Sequence, residues 1–394
     1  MATTIRRTTP KYAAHALMEE LNESRPFGWL GAVVTFGAVC VMIGVYWDIS
    51  WHMTIGRDTF WTPAHLLIQA GGLIAGLSSG YVAIRTTFGG SVGAHDASVT
   101  FWGFKAPLGA WVAIWGCFAM VASAPFDNWW HDAYGLDVRI ISPPHMVLAM
   151  GIAGVGIGAL LLTLAAQNRG SAQARGAMWL FLIAGSLLLM DRAIMLTEYS
   201  WKNLMHDGAF YRVSALAYPM VLVLMARASR MKWAATTTTG IFMGLMLALM
   251  WIIQLFPATP KLGPIYQNIT HMVAMDFPVL IVVPAIGIDL VMQRLTLRPL
   301  LLALVLSVVF VALFVAVQWP FASFLMSPAA RNWFFNAENF VYWMPARGVE
   351  NARTWQYEAN GLFFAAQLGS AVAIGAFSSW VGLWFGTWMT RVRR

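Results

Sequence analysis

Ten stretches of about 20 or more largely apolar residues run through this chain, at 27–48, 62–84, 106–126, 143–167, 176–197, 212–229, 233–256, 268–292, 299–321 and 361–389. A helix of that length spans the hydrocarbon core of a bilayer. Lipid offers no partner to backbone N–H and C=O groups, so such runs fold as helices rather than as open strands. The expected fold is all-α, a polytopic membrane bundle of about ten transmembrane helices. Three runs carry interruptions: Asp191-Arg192 in the fifth, Pro219 in the sixth and Asp276 in the eighth. The chain is 59% hydrophobic and 11% charged, against about half and about a quarter in a soluble domain, which excludes a soluble globule. It also excludes disorder, because so apolar a chain has ample surface to bury. The first run is not a cleaved signal peptide, since it is long and ends in Tyr46-Trp47-Asp48 rather than in small residues.

The net charge of +8 reads as membrane topology rather than as a nucleic-acid footprint, because Lys and Arg gather between alternate runs. Arg85, Lys105, Arg169, Arg175, Arg227, Arg230, Lys232, Arg294, Arg298, Arg391, Arg393 and Arg394 fall on the side of both termini. The positive-inside rule places that side in the cytoplasm, in a bacterial-type inner membrane, with lipid as the surrounding partner and no nucleic acid. The chain divides into a cytoplasmic segment at 1–26, a four-helix region at 27–170, further transmembrane helices at 171–321, a non-cytoplasmic loop or cap at 322–360, and a last helix with a basic tail at 361–394. Cys40 and Cys117 both lie in apolar runs, which rules out a disulfide framework, a cysteine zinc cluster and an iron–sulfur site.

The chemistry lies in an internal repeat. Asp48, Trp51, His52, Gly56, Asp58, Thr62-Pro63 and His65 recur in order as Asp127, Trp130, His131, Gly135, Asp137, Ser142-Pro143 and His145. The second copy has one extra residue, Pro144, before its last histidine. Asp48 and His52 are four apart and share one helix face, and the returning helix brings His65 to their level. The same logic gathers Asp127, His131 and His145. A single Asp or His at a helix end is ordinarily a solvated interfacial group. Four of the eight histidines in two aligned motifs instead point to metal ligation, by two imidazoles and a carboxylate in each hairpin. Ionisable groups near membrane depth are costly and need a reason. This donor set suits copper, zinc or iron. Asp58 and Asp137 are placed to accept an N–H from a ligating ring, with simple turn chemistry as the alternative; Arg57, Trp51 and Trp130 stand around the ligands.

The run from Asp48 through His52 to Thr62-Pro63-Ala64-His65 resembles the metal-binding signature of the C subunit of copper membrane monooxygenases, the particulate methane, ammonia and short-chain hydrocarbon enzymes. The resemblance covers about residues 25 to 170. It implies copper at Asp48, His52 and His65, and a second site at Asp127, His131 and His145, where Asp127 stands in place of the family's Asn. It further implies O₂-dependent oxygenation of a small substrate, an external electron donor such as quinol, partner monooxygenase subunits and an oligomeric assembly. The later spans have no evident counterpart in that subunit, which makes the chain an extended relative.

Outside the repeat, Glu198, Tyr199, His206, Asp207 and Tyr211 form a polar loop after the fifth run, read chiefly as a wet loop with a possible site contribution. His271 and Asp276 read as a buried hydrogen-bonded pair inside the eighth span. Asp191 and Arg192 are expected to pair with other helices, while Asp289 and Arg294 read as ordinary boundary residues. The leading function is a copper-dependent membrane monooxygenase subunit. Its rivals are a non-catalytic protein that stores, senses or delivers copper, and an ion-coupled transporter using Asp48, Asp127 and Asp276.

Overall fold

The computed structural model describes residues 28–56, 61–89, 97–134, 142–170, 174–358 and 361–394. Its first half holds four long helices: α1 (Gly28–Thr54), α2 (Pro63–Phe88), α3 (Leu108–Tyr134) and α4 (Pro143–Arg169). A small antiparallel ribbon, β1 (Val99–Phe101) with β2 (Phe104–Ala106), joins α2 to α3. The second half holds α5 (Ala174–Met195), α6 (Gly208–Ala228), α7 (Ala234–Ile253), the short α8 (Val282–Arg294), α9 (Pro299–Met326), the surface helix α10 (Ala346–Ala352) and α11 (Gly361–Met389). Among the described residues nine of these are long and apolar enough to cross a membrane. The protein is an all-α polytopic bundle.

The helices pack mainly as sequence neighbours, α1 with α2 and α3 with α4, and α1 also lies against α4 and α5. Close backbone approach between α3 and α4 depends on glycine. A Cβ at Gly116 would sit 2.6 Å from the Val155 backbone nitrogen, so only Gly lets these two helices touch. The fifth and sixth helices run unbroken through Asp191-Arg192 and through Pro219.

The eighth run departs from expectation. Residues 268–281 are not helical, and only Val282–Arg294 coil into α8. Met272, Val273, Ala274 and Met275 are nonetheless buried. Non-helical backbone at this depth is tolerated only where protein satisfies it. Ser50 donates to the Val273 carbonyl at 2.5 Å, and Thr54 accepts from the Val273 N–H at 2.7 Å. Asn336 donates to the carbonyls of Ala274 and Met275 at 3.2 and 2.8 Å, and Gln318 accepts from the Leu280 N–H at 2.9 Å. Side chains from three directions therefore replace the missing helical bonds.

The two ends of the bundle differ in character. Asn168 donates to the carbonyls of Met389 and Val392. Gln167 donates to Ala228, and Gln293 to Lys232. These bonds gather the basic loops at one end, where α1 also begins, with Gly31 against Thr163. The opposite end carries the repeated motifs.

Candidate metal centre

Asp48 and His52 lie in the last two turns of α1, and His65 lies in the first turn of α2. The Thr62-Pro63 pair explains why the second helix starts where it does. Proline occupies the first helical position, and the Thr62 hydroxyl accepts the His65 N–H at 3.3 Å, a cap that fixes the backbone of a candidate ligand. The His65 Nε2 comes within 3.0 Å of Asp48 Oδ1, and His52 Nε2 lies 3.7 Å from Asp48 Oδ2. One donor atom from each of the three residues falls within 4.8 Å of the others. Donors about 2.1 Å from a tetrahedral ion stand roughly 3.4 Å apart, so only small side-chain rotations separate this arrangement from a ligand set.

The second motif gathers its residues around one carboxylate, although among the described residues only the first motif brings all three donors within 4.8 Å of one another. His131 Nε2 and His145 Nε2 lie 3.1 and 3.6 Å from the same Asp127 oxygen. Pro143 is again the first helical residue, so His145, like His65, is the third residue of its helix. The extra residue of the second copy is therefore not Pro144; it falls between Asp137 and Ser142, in a loop of which 135–141 lie outside the described residues. Ser142 makes no side-chain cap bond. The two clusters are neighbours because α4 packs on α1, and His145 is close enough to act on the charge of Asp48. Arg57, Asp58 and Asp137 lie outside the described residues.

Three aromatic residues flank the ligands. Trp51 is half-buried, and its enclosed indole N–H has no hydrogen-bond partner among the described residues. Trp130 lies tilted against Tyr134 at 4.5 Å and edge-to-face with Phe126 at 6.3 Å. Trp61, just before the Thr62-Pro63 pair, is 73% exposed.

The end of α1 is tied down by the second half of the chain. The Met53 carbonyl accepts from the Tyr342 N–H at 3.1 Å, and the Ile55 carbonyl from the Lys261 N–H at 2.9 Å. These are carbonyls that a helix end leaves orphaned. Gly56 follows at φ +90°, and a Cβ there would lie 2.7 Å from the Tyr342 hydroxyl. Tyr342, Lys261, Ser50 and Thr54 thus support the helix that carries Asp48 and His52, and none of them stands out in the sequence.

Several expected groupings are not formed. His271 is exposed in the non-helical segment, beside the Thr270 hydroxyl at 3.0 Å, and makes no buried pair with Asp276. Once the helix is lost, residues five apart have no common face. Glu198 is exposed. His206 is not in a wet loop: it is 3% exposed, between the indoles of Trp319 and Trp355 at 3.9 and 3.7 Å. Its Nε2 faces the Trp319 carbonyl at 3.0 Å, and its Nδ1 lies 3.7 Å from Glu358. His206 therefore fastens the segment after α10 to α9. The side chains of Asp191 and Arg192 make no ion pair or hydrogen bond among the described residues, and Asp289 is buried rather than at a boundary.

Comparison with protein-family models, with curated proteins and with solved structures finds no match to this chain.

Proposed function

We propose that this chain is a copper-binding membrane protein of the copper membrane monooxygenase type, acting as a subunit that oxygenates a small apolar or neutral substrate. The observation that carries the reading is the convergence of Asp48, His52 and His65 within 4.8 Å at the ends of two helices. The repetition of the same residue order in Asp127, His131 and His145 supports it. Two imidazoles and one carboxylate fit copper, and they equally fit iron or zinc.

Copper bound there would supply the activation of O₂, with electrons from a donor of the quinol class and with partner subunits where the assembly needs them. The protein's own residues do the rest. Asp48 lies between His52 and His65 and brings the negative charge that a cation requires. The positive end of the α2 dipole favours that carboxylate in the same place. The Thr62 cap and the bonds from Tyr342 and Lys261 hold the ligands' backbones.

The test is metal content with a copper EPR spectrum, on full-length protein purified in native-like lipid. One or two coppers per chain are expected, with nitrogen couplings that a His52→Ala or His65→Ala variant loses from the first site. Unchanged stoichiometric metal in both variants sinks the assignment. Iron or zinc keeps the ligands and removes the copper chemistry.

A further inference from the structure

Asp191 is a buried acid that the metal reading does not use and that no side chain among the described residues caps or pairs. It sits near the end of α5, 7% exposed, with neither a hydrogen bond nor an ion pair among the described residues. It borders a narrow crevice of about 10 Å³ between α1, α4 and α5, with Val41 and Met42 on one wall, Ile152 and Gly156 on another, and Leu187 and Leu188 below. That volume holds the centre of about one water molecule.

The lining supplies no second titratable group. Arg192, the adjacent residue, is the charged group that acts on Asp191. It forms no ion pair with Asp191, and its Nε is itself enclosed without a partner among the described residues. An ionised carboxylate this deep, lacking both ion pair and hydrogen bond, is far costlier than the neutral acid. Acids inside membrane bundles characteristically bind protons or line ion paths.

The crevice lies below the candidate metal centre along two of its walls. Met42 lies six residues before Asp48 on α1, and Ile152 seven residues after His145 on α4. At the rise of an α-helix these steps are about 9 and about 10 Å. Asp191, on α5, thus shares the crevice with the two helices that carry the clusters, below both.

We propose that Asp191 is a proton-binding site of the membrane interior, at the crevice between α1, α4 and α5, which exchanges protons with the metal clusters at the end of α1 and α4. The step moves no electrons: carboxylate and hydronium give carboxylic acid and water, and the reverse returns the proton. The site itself stands on the crevice geometry; only the use of its protons rests on the metal reading.

The experiment is infrared spectroscopy of the full-length protein in lipid, prepared with carbon-13 aspartate and titrated from neutral to acidic pH. A protonated-carboxyl band should grow at a pH above that at which exposed aspartates protonate. It should carry the aspartate isotope shift, move in heavy water, and vanish in Asp191→Asn. In Asp191→Glu, which keeps an acid should the Asn variant fail to fold, the band should persist without the isotope shift. A band that survives both substitutions unchanged overturns the proposal. So does a carboxyl that never exchanges with heavy water, or one that stays ionised until exposed aspartates protonate. Copper content of the same samples is read separately. A titrating Asp191 in protein that binds no metal would leave the proton site standing and remove its proposed client.

Discussion

Asp289 illustrates how one side chain can decide a helix start from elsewhere in the chain. It is 1% exposed on α8, and its two oxygens accept from the Ala235 N–H, the Thr236 N–H and the Thr236 hydroxyl at 3.2, 2.8 and 2.7 Å. Trp233, at the cap position of α7, makes no side-chain bond, so Asp289 supplies from another helix the acceptors that an N-terminus needs. Asp289→Asn keeps the size but turns an N–H toward N–H donors, and should destabilise the protein by about 1–3 kcal/mol. Thermal unfolding in lipid nanodiscs checks this, and an unchanged midpoint refutes the trans cap. The role was hidden in the sequence because nothing local links position 289 to position 235. The candidate ligands were legible for the opposite reason. Asp48, His52 and His65 lie within one hairpin, where helix periodicity and a proline at the helix start fix their meeting.

Nine long helices were legible because length and apolarity alone specify a span, and even Pro219 did not break α6. The eighth run failed the same rule. Its composition is apolar, but Pro278 falls in the part that stays non-helical, and proline removes a donor that a helix interior needs; Pro284 lies in the first turn of α8, where that donor is not needed. The fold keeps residues 272–281 non-helical only because partners distant in sequence satisfy them. Thr54 is the most exacting of these, since its hydroxyl donates to the Ser50 carbonyl at 2.6 Å while accepting from Val273. Thr54→Val preserves shape and leaves the Val273 N–H buried and unpaired, for an expected loss of about 1–3 kcal/mol. Hydrogen exchange should then rise at residues 272–275 while the helices keep their protection. Equal exchange in both proteins would mean that the strip is held by packing alone. His206 was misjudged for a related reason: Trp319 and Trp355, which enclose it, come from segments more than a hundred residues away.

Over the whole molecule, the two halves meet at the end of α1, and that meeting gives residues 256–358 a part in the candidate centre. The segment between His52 and His65 is anchored on one side by the Thr62 cap and on the other by Gly56, which lies against Tyr342 and Leu262. Gly56→Ala introduces a residue at φ +90°, a conformation L side chains rarely adopt, and pushes a methyl toward the Tyr342 hydroxyl. The ligands themselves are untouched, so a loss of metal affinity measures how far the cap sets their geometry. Changes to groups that orient ligands typically cost about 10–100-fold in affinity, and a loss in that range is expected for Gly56→Ala. Tyr342→Phe alone should bind metal nearly as the parent does, because its N–H still reaches the Met53 carbonyl. The double variant separates the two causes. Partial recovery of affinity identifies the steric contact with the hydroxyl, whereas no recovery assigns the loss to backbone strain at position 56. If Gly56→Ala binds metal like the parent, the cap and the candidate centre are independent, and the second half must owe its place in the chain to something other than supporting these ligands.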